Sequence, residues 1–167
     1  MTIGDVFSVV AATLGVFLTA WATVVAVALL MPNVSERARG AVAAPRAAVL
    51  RGLALVLVPG VLGVILVANG NPLAKLIGWF DLIGLLAMAA VGLSGIAQTA
   101  GRRIQDLDPT LAAYPAMARG AAFVVGATLL PILGWLGFGP LLLLGSLGAG
   151  WTAVLRAPRP IEINEAA

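Results

Sequence analysis

Asp81 is the residue of this sequence most able to do chemistry. It lies about nine residues, or ~13 Å of helix, beyond Pro72, inside an otherwise apolar segment. An ionised carboxylate at that depth costs at least ~2–3 kcal/mol, so we expect a partner, a water-filled cavity or protonation. Three interpretations stay open: a residue near the membrane interface, which the nearby Lys75 and Trp79 favour, a proton or cation site, and a contact with another chain.

The residue types that most enzymes and metal proteins need are missing. The 167 residues include no histidine and no cysteine, which excludes haem and zinc ligands, iron–sulfur clusters and histidine-activated nucleophiles. Asp106 and Asp108 resemble a carboxylate pair, but Pro109 favours a capping role for them. We therefore predict no enzyme, no catalytic residue, no cofactor and no metal site.

The elements that would position Asp81 are membrane helices. Hydrophobic residues make up 61% of the chain and charged residues 10%, against roughly 25% charged in soluble domains. Residues 52–100 carry two charges and residues 120–155 carry none. These segments predict an all-α polytopic protein whose partner is the lipid bilayer. The net charge of +3 does not predict nucleic-acid binding, because the arginines lie at the borders of the apolar segments.

The pattern predicts one transmembrane helical domain over residues 1–156, followed by a disordered cytoplasmic tail at 157–167. Three helices are long enough to span, and the last two form a short hairpin that either spans or is re-entrant. Pro59, Pro131 and Pro140 are predicted helix breaks, and Asn71 with Pro72 should begin the third helix. The five predicted helices cover about 5–30, 47–68, 72–101, 116–133 and 139–156.

Small residues recur along the predicted third and fifth helices. In lipid, close approach of backbones supplies the packing between helices, so such faces predict helix contacts. The contacts could join this chain to a second copy or to a larger complex, or they could lie inside one bundle. The predicted packing residues are Gly84, Gly92, Gly95, Gly145, Ser146, Ala149 and Gly150.

The basic residues predict the orientation. If the helices alternate in direction, nine of the ten basic residues share one side and only Lys75 lies opposite. The positive-inside rule places that side in the cytoplasm, with the N-terminus outside and the C-terminus inside a bacterial inner membrane. The nine are Arg37, Arg39, Arg46, Arg51, Arg102, Arg103, Arg119, Arg156 and Arg159.

One family resemblance can be drawn from the placement of proline and glycine. Residues 45–156 contain Arg51-Gly-Leu-Ala-Leu-Val-Leu-Val-Pro59, then Gly126-Ala-Thr-Leu-Leu-Pro131-Ile-Leu-Gly-Trp135, then a glycine-rich stretch at 141–150. This arrangement resembles the membrane region that accompanies bacterial polymer-forming cytoskeletal proteins, the bactofilins. The resemblance implies a helical membrane module that acts as an anchor or partner. The β-helical polymerising domain of that family is missing from this sequence.

Together these features predict a small integral membrane protein without catalytic activity. It would act as an accessory or scaffold subunit that associates with other membrane chains, or with copies of itself, through helix–helix contacts. The alternative function is a small oligomeric channel or transporter with Asp81 near the path. Transport sites are generally lined by more polar side chains than this chain offers.

Overall fold

The computed structural model describes residues 3–155, and these residues are helical almost throughout. No β-strand occurs within this range. Two π-helical segments, Val56–Gly60 and Leu133–Phe138, interrupt the α-helices. The α-helices are α1 (Ile3–Leu30), α2 (Pro32–Val42), α3 (Pro45–Leu55), α4 (Val61–Ala68), α5 (Pro72–Leu107), α6 (Ala113–Leu129) and α7 (Gly139–Leu155).

Four helices are long and apolar enough to cross a membrane: Ile3–Leu30, Pro45–Ala68, Pro72–Leu107 and Leu133–Leu155. Large apolar side chains, among them Phe7, Phe80 and Leu86, are mostly exposed on the outside of the bundle. Lipid can solvate such a surface, whereas water cannot. The predicted all-α polytopic membrane fold is thus confirmed, with five as an approximate number of hydrophobic helices.

The third predicted helix begins as expected and ends later. Asn71 caps α5, because its side-chain oxygen accepts a hydrogen bond from the Leu73 amide at 2.9 Å, and Pro72 occupies the first turn. The prediction that the helix ends near residue 101 was wrong, since α5 continues to Leu107. The helix stops where Asp108 precedes Pro109, because the residue before a proline is disfavoured in the helical region.

Pro59 does not end its helix. It lies in the π-helical segment Val56–Gly60, and α4 follows directly. A proline has no amide hydrogen, and its ring clashes with the carbonyl four residues earlier. The wider π turn accommodates both effects, so residues 45–68 form one membrane-long helix.

The break between the last two helices lies earlier than predicted. Residues 130–132 are not helical, and Leu130 has the extended conformation that a following proline imposes. Pro131 therefore does interrupt the chain, whereas the predicted break at Pro140 is wrong. Pro140 lies in the first turn of α7, and the helix runs unbroken from Leu133 to Leu155.

Helix α7 packs between α3 and α5, and glycines form the contacts. A Cβ atom added at Gly52 would lie 1.8 Å from the carbonyl oxygen of Leu144, and one at Gly148 would lie 1.9 Å from that of Ala48. On the side of α7 that faces α5, a Cβ atom added at Gly92 would lie 1.8 Å from the carbonyl oxygen of Ser146. No side chain fits at these places, so backbone meets backbone.

A second group of contacts joins α1, α5 and α6. The buried residues Val25, Ala97 and Ala121 lie at its centre, and the Trp21 indole donates to the Ala118 carbonyl at 3.0 Å. The short helix α2 packs on α5 and α7 through Ala38. The first half of α1 is exposed along its whole circumference, although Ala12, Thr13 and Val16 line a cavity together with Leu129 and Pro131.

Candidate functional site

Asp81 lies at the tightest point of the hairpin formed by α4 and α5. A Cβ atom at Gly63 would come within 2.6 Å of the Asp81 Oδ2 atom, and one at Gly78 within 2.7 Å of the Gly63 carbonyl oxygen. The carboxylate therefore rests against a bare stretch of α4 backbone. Glycine at position 63 makes this possible, because any larger residue would displace the carboxylate.

The buried oxygen of this carboxylate is unsatisfied. Oδ2 of Asp81 has no hydrogen-bond partner among residues 3–155 and almost no exposed surface. Lys75 forms no ion pair with Asp81. The ion pairs found in this range join Glu36 to Arg39 and Glu36 to Arg102. A buried polar atom without a partner costs roughly 1–3 kcal/mol, and more when it is charged. A donor from outside the described chain would remove that penalty.

Asp81 faces a small open cavity of about 230 Å³, which we name the Asp81 groove. Among residues 3–155, Asp81 is the only charged residue that lines it, so the groove would favour a cation. Gly84 leaves part of the wall bare, because no atom lies within 4 Å of a Cβ built there. The lining residues besides Asp81 are Leu55, Pro59, Phe80, Gly84, Leu85, Met88 and Trp151.

The structure divides the predicted packing residues into two groups. Gly92, Ser146 and Gly150 lie at the α5–α7 contact, Gly95 abuts α2, and Ala149 is completely buried. Gly84 and Gly145 do not pack against another helix, because a Cβ at either place would meet nothing within 4 Å. The small residues that do pack are therefore used inside this chain.

Several arginines act at the ends of helices. Arg51 donates to the Thr152 hydroxyl at 3.0 Å, and Arg37 to the Ala153 carbonyl at 3.4 Å, so both hold the last turn of α7. Cations there complement the negative end of the helix dipole. Arg39 and Arg102 bind Glu36. Arg46, Arg103 and Arg119 are exposed, and Arg156, Arg159 and the predicted tail lie outside the described residues.

Sequence reasoning missed a buried hydroxyl pair and three glycines. The hydroxyls of Ser35 and Ser94 lie 2.7 Å apart in a fully buried contact between α2 and α5. Gly52 and Gly148 approach a neighbouring backbone as closely as Gly92 and Gly150 do, and Gly63 approaches its neighbour as closely as Gly95 does. Twenty glycines are spread over this sequence, and only the three-dimensional register separates those that meet a neighbouring helix from the others.

Residues 3–155 contain no group of three or more acidic, histidine or cysteine side chains that could hold a metal ion. Comparison of the chain with models of protein families, with curated proteins and with solved structures gives no match. The case for a function thus depends on the geometry of this molecule alone.

Proposed function

We propose that this chain is a non-catalytic accessory or scaffold subunit of an assembly in the bacterial inner membrane, and that a partner helix binds in the Asp81 groove. The observation that carries the proposal is the buried, unsatisfied Oδ2 atom of Asp81 beside an open groove. A lysine or arginine side chain of the partner would pair with the Asp81 carboxylate from the groove. Gly84 would let the partner backbone approach closely.

The packing of the small residues limits the surfaces to which a partner could bind. The faces around Gly92 and Gly150 are filled by helices of the same chain, so they are not free for another protein. The Asp81 groove combines an exposed apolar wall, an unobstructed glycine and an acceptor that lacks a donor. A partner of the bactofilin type would fit the resemblance noted in the sequence, and its identity stays a prediction.

The proposed orientation puts the N-terminus outside and the C-terminus in the cytoplasm. Arg37 of α2 and Arg51 of α3 support it, because both donate to the last turn of α7. The C-terminal end of α7 therefore lies on the same side of the bundle as these arginines. Lys75 lies near the opposite end of α5.

The alternative, a small oligomeric channel or transporter, uses the same carboxylate as an ion site. The test is to isolate the chain from its own membranes in a mild detergent, as wild type and as Asp81→Asn, and to determine the subunit composition by native mass spectrometry. Asparagine keeps the size of the side chain and removes its charge. Ile83→Ala is the matched control, because Ile83 lies in the same turn and is 58% exposed.

The subunit role predicts a stoichiometric partner chain that is lost from Asp81→Asn and kept by Ile83→Ala. A homo-oligomer whose reconstituted cation flux requires Asp81 would support the channel instead. Retention of every partner by Asp81→Asn, with no cation flux in either protein, would overturn both roles for this residue.

A further inference from the structure

A second cavity, of about 530 Å³, opens at the arginine-bearing face of the bundle. It lies where the end of α1 and the last turns of α5 meet α2 and the start of α6, and we name it the interface cavity. Its volume is within the range that accommodates small ligands. Its apolar wall consists of Ala28, Leu29 and Met117, and its polar wall includes Glu36, Gln98, Arg102, Asp106 and Tyr114.

Two glutamines line this cavity and differ in their hydrogen bonding. The Oε1 atom of Gln98 is buried and has no hydrogen-bond partner among residues 3–155. Gln105, which lies two turns further along the same wall, is satisfied, because its amide donates to the Leu111 carbonyl at 3.1 Å. Because the Gln98 Oε1 atom is buried, an occupant of the interface cavity meets the charged side chains of the wall instead.

The charged side chains of the wall favour an occupant that carries both a positive and a negative group. Arg102 binds Glu36, with 3.2 Å between Nη2 and Oε1, and keeps other donors on its guanidinium. Asp106 is exposed and forms no ion pair within the described range. The cavity thus offers an unpaired carboxylate to a cation and a guanidinium to an anion.

We propose that the interface cavity binds a zwitterionic phospholipid whose headgroup carries a primary ammonium group, that is, a phosphatidylethanolamine. The phosphate accepts from Arg102, and the ammonium group donates to Asp106, four residues further along α5. The acyl chains leave along Ala28, Leu29 and Met117 into the bilayer. The cavity lies at the level of the arginines, where lipid headgroups are found.

Phosphatidylcholine provides the sharpest comparison, because its headgroup has the same charges and no N–H donor. Purified protein is titrated with phosphatidylethanolamine or phosphatidylcholine of identical acyl chains, and bound lipid is counted by native mass spectrometry. Charge-assisted hydrogen bonds are worth about 1.5–3 kcal/mol each, so the amine lipid should bind roughly tenfold more tightly or better. Equal binding of the two lipids by the wild-type protein would overturn the proposal.

Two variants and a soluble competitor complete the test. Asp106→Asn should abolish most of the preference for the amine, whereas Arg103→Gln, outside the cavity lining, should keep it. Glycerophosphoethanolamine carries the same headgroup without acyl chains. If it displaced the lipid at equal concentration, the occupant would be a free polar molecule and the lipid assignment would be wrong. A preference that survives in Asp106→Asn would equally contradict the assignment.

Discussion

Replacing Gly148 by alanine should separate α7 from α3. The added Cβ atom would lie 1.9 Å from the carbonyl oxygen of Ala48 and 2.7 Å from its carbonyl carbon. Real Cβ atoms essentially never approach another atom within 3.0 Å. The obstacle is helix backbone, which cannot rotate away as a side chain would. The two helices must therefore move apart by about 1 Å.

The cost of this movement follows from what holds the helices together. Inserting one methyl group into a well-packed interior costs about 1–3 kcal/mol. Alanine returns up to ~1 kcal/mol through its better helix propensity. Lipid does not drive helices together as water does, so the lost van der Waals contacts are not replaced. We expect Gly148→Ala to lower the free energy of unfolding by about 1–2 kcal/mol.

Gly145 offers a control on the same helix, because a Cβ built there meets no atom within 4 Å. Gly145→Ala should leave stability unchanged or raise it by up to ~1 kcal/mol through helix propensity alone. Both variants can be unfolded in mixed micelles by titration with dodecyl sulfate, followed by helical circular dichroism. Equal stability of the two variants would refute the close contact between α3 and α7.

Three further outcomes are expected. Ser94→Ala should cost about 1–2 kcal/mol in the same unfolding assay because it leaves the hydroxyl of Ser35 only a long hydrogen bond of 3.5 Å to the Val27 carbonyl, and replacing both serines by alanine should cost less than twice that amount. Trp21→Phe should destabilise the contact between α1 and α6 by at least about 1 kcal/mol, since the indole hydrogen bond and part of the ring packing are lost. Hydrogen bonds from Thr110, first from its side chain and then from its amide, lower the pKa of Asp108 below its ordinary value. The turn should hold at neutral pH and loosen as the pH falls through that lowered pKa. Exchange of the Thr110 amide, corrected for its intrinsic pH dependence, should therefore accelerate only in acid. In an Asp108→Ala variant, the corrected exchange rate should show no such acceleration at any pH.

The sequence predicts the helices of this protein better than their interruptions. Long apolar segments and the Asn71–Pro72 cap depend on local chemistry, so the sequence predicts the membrane-long helices and the start of α5 correctly. Whether Pro59 and Pro140 interrupt a helix depends on the backbone conformation around each proline ring. A π-helical turn accommodates Pro59 without ending the helix. Composition alone does not distinguish a proline that breaks a helix from one that a wider turn accommodates.

The candidate site was predictable only in part. Asp81 stands out in the sequence because a charge in an apolar segment is costly. That its Oδ2 atom rests on Gly63 follows from the register of α4 against α5, which no local pattern encodes. Gly84 and Gly145 matched the small-residue pattern, yet they face away from the contacts that Gly92 and Gly150 make.

Chemistry explains why Asp81 and Gln98 differ from the other polar residues of the helices. A hydroxyl can donate to a carbonyl of its own helix, and every serine and threonine of residues 3–155 has a hydrogen bond of some kind. A carboxylate and an amide oxygen only accept, and the amide hydrogens of a helix interior are already used by the backbone. Their own helices therefore cannot satisfy Asp81 Oδ2 and Gln98 Oε1, which are the buried side-chain atoms left without partners in the described chain. Both residues line open cavities, where another molecule can bind beside them.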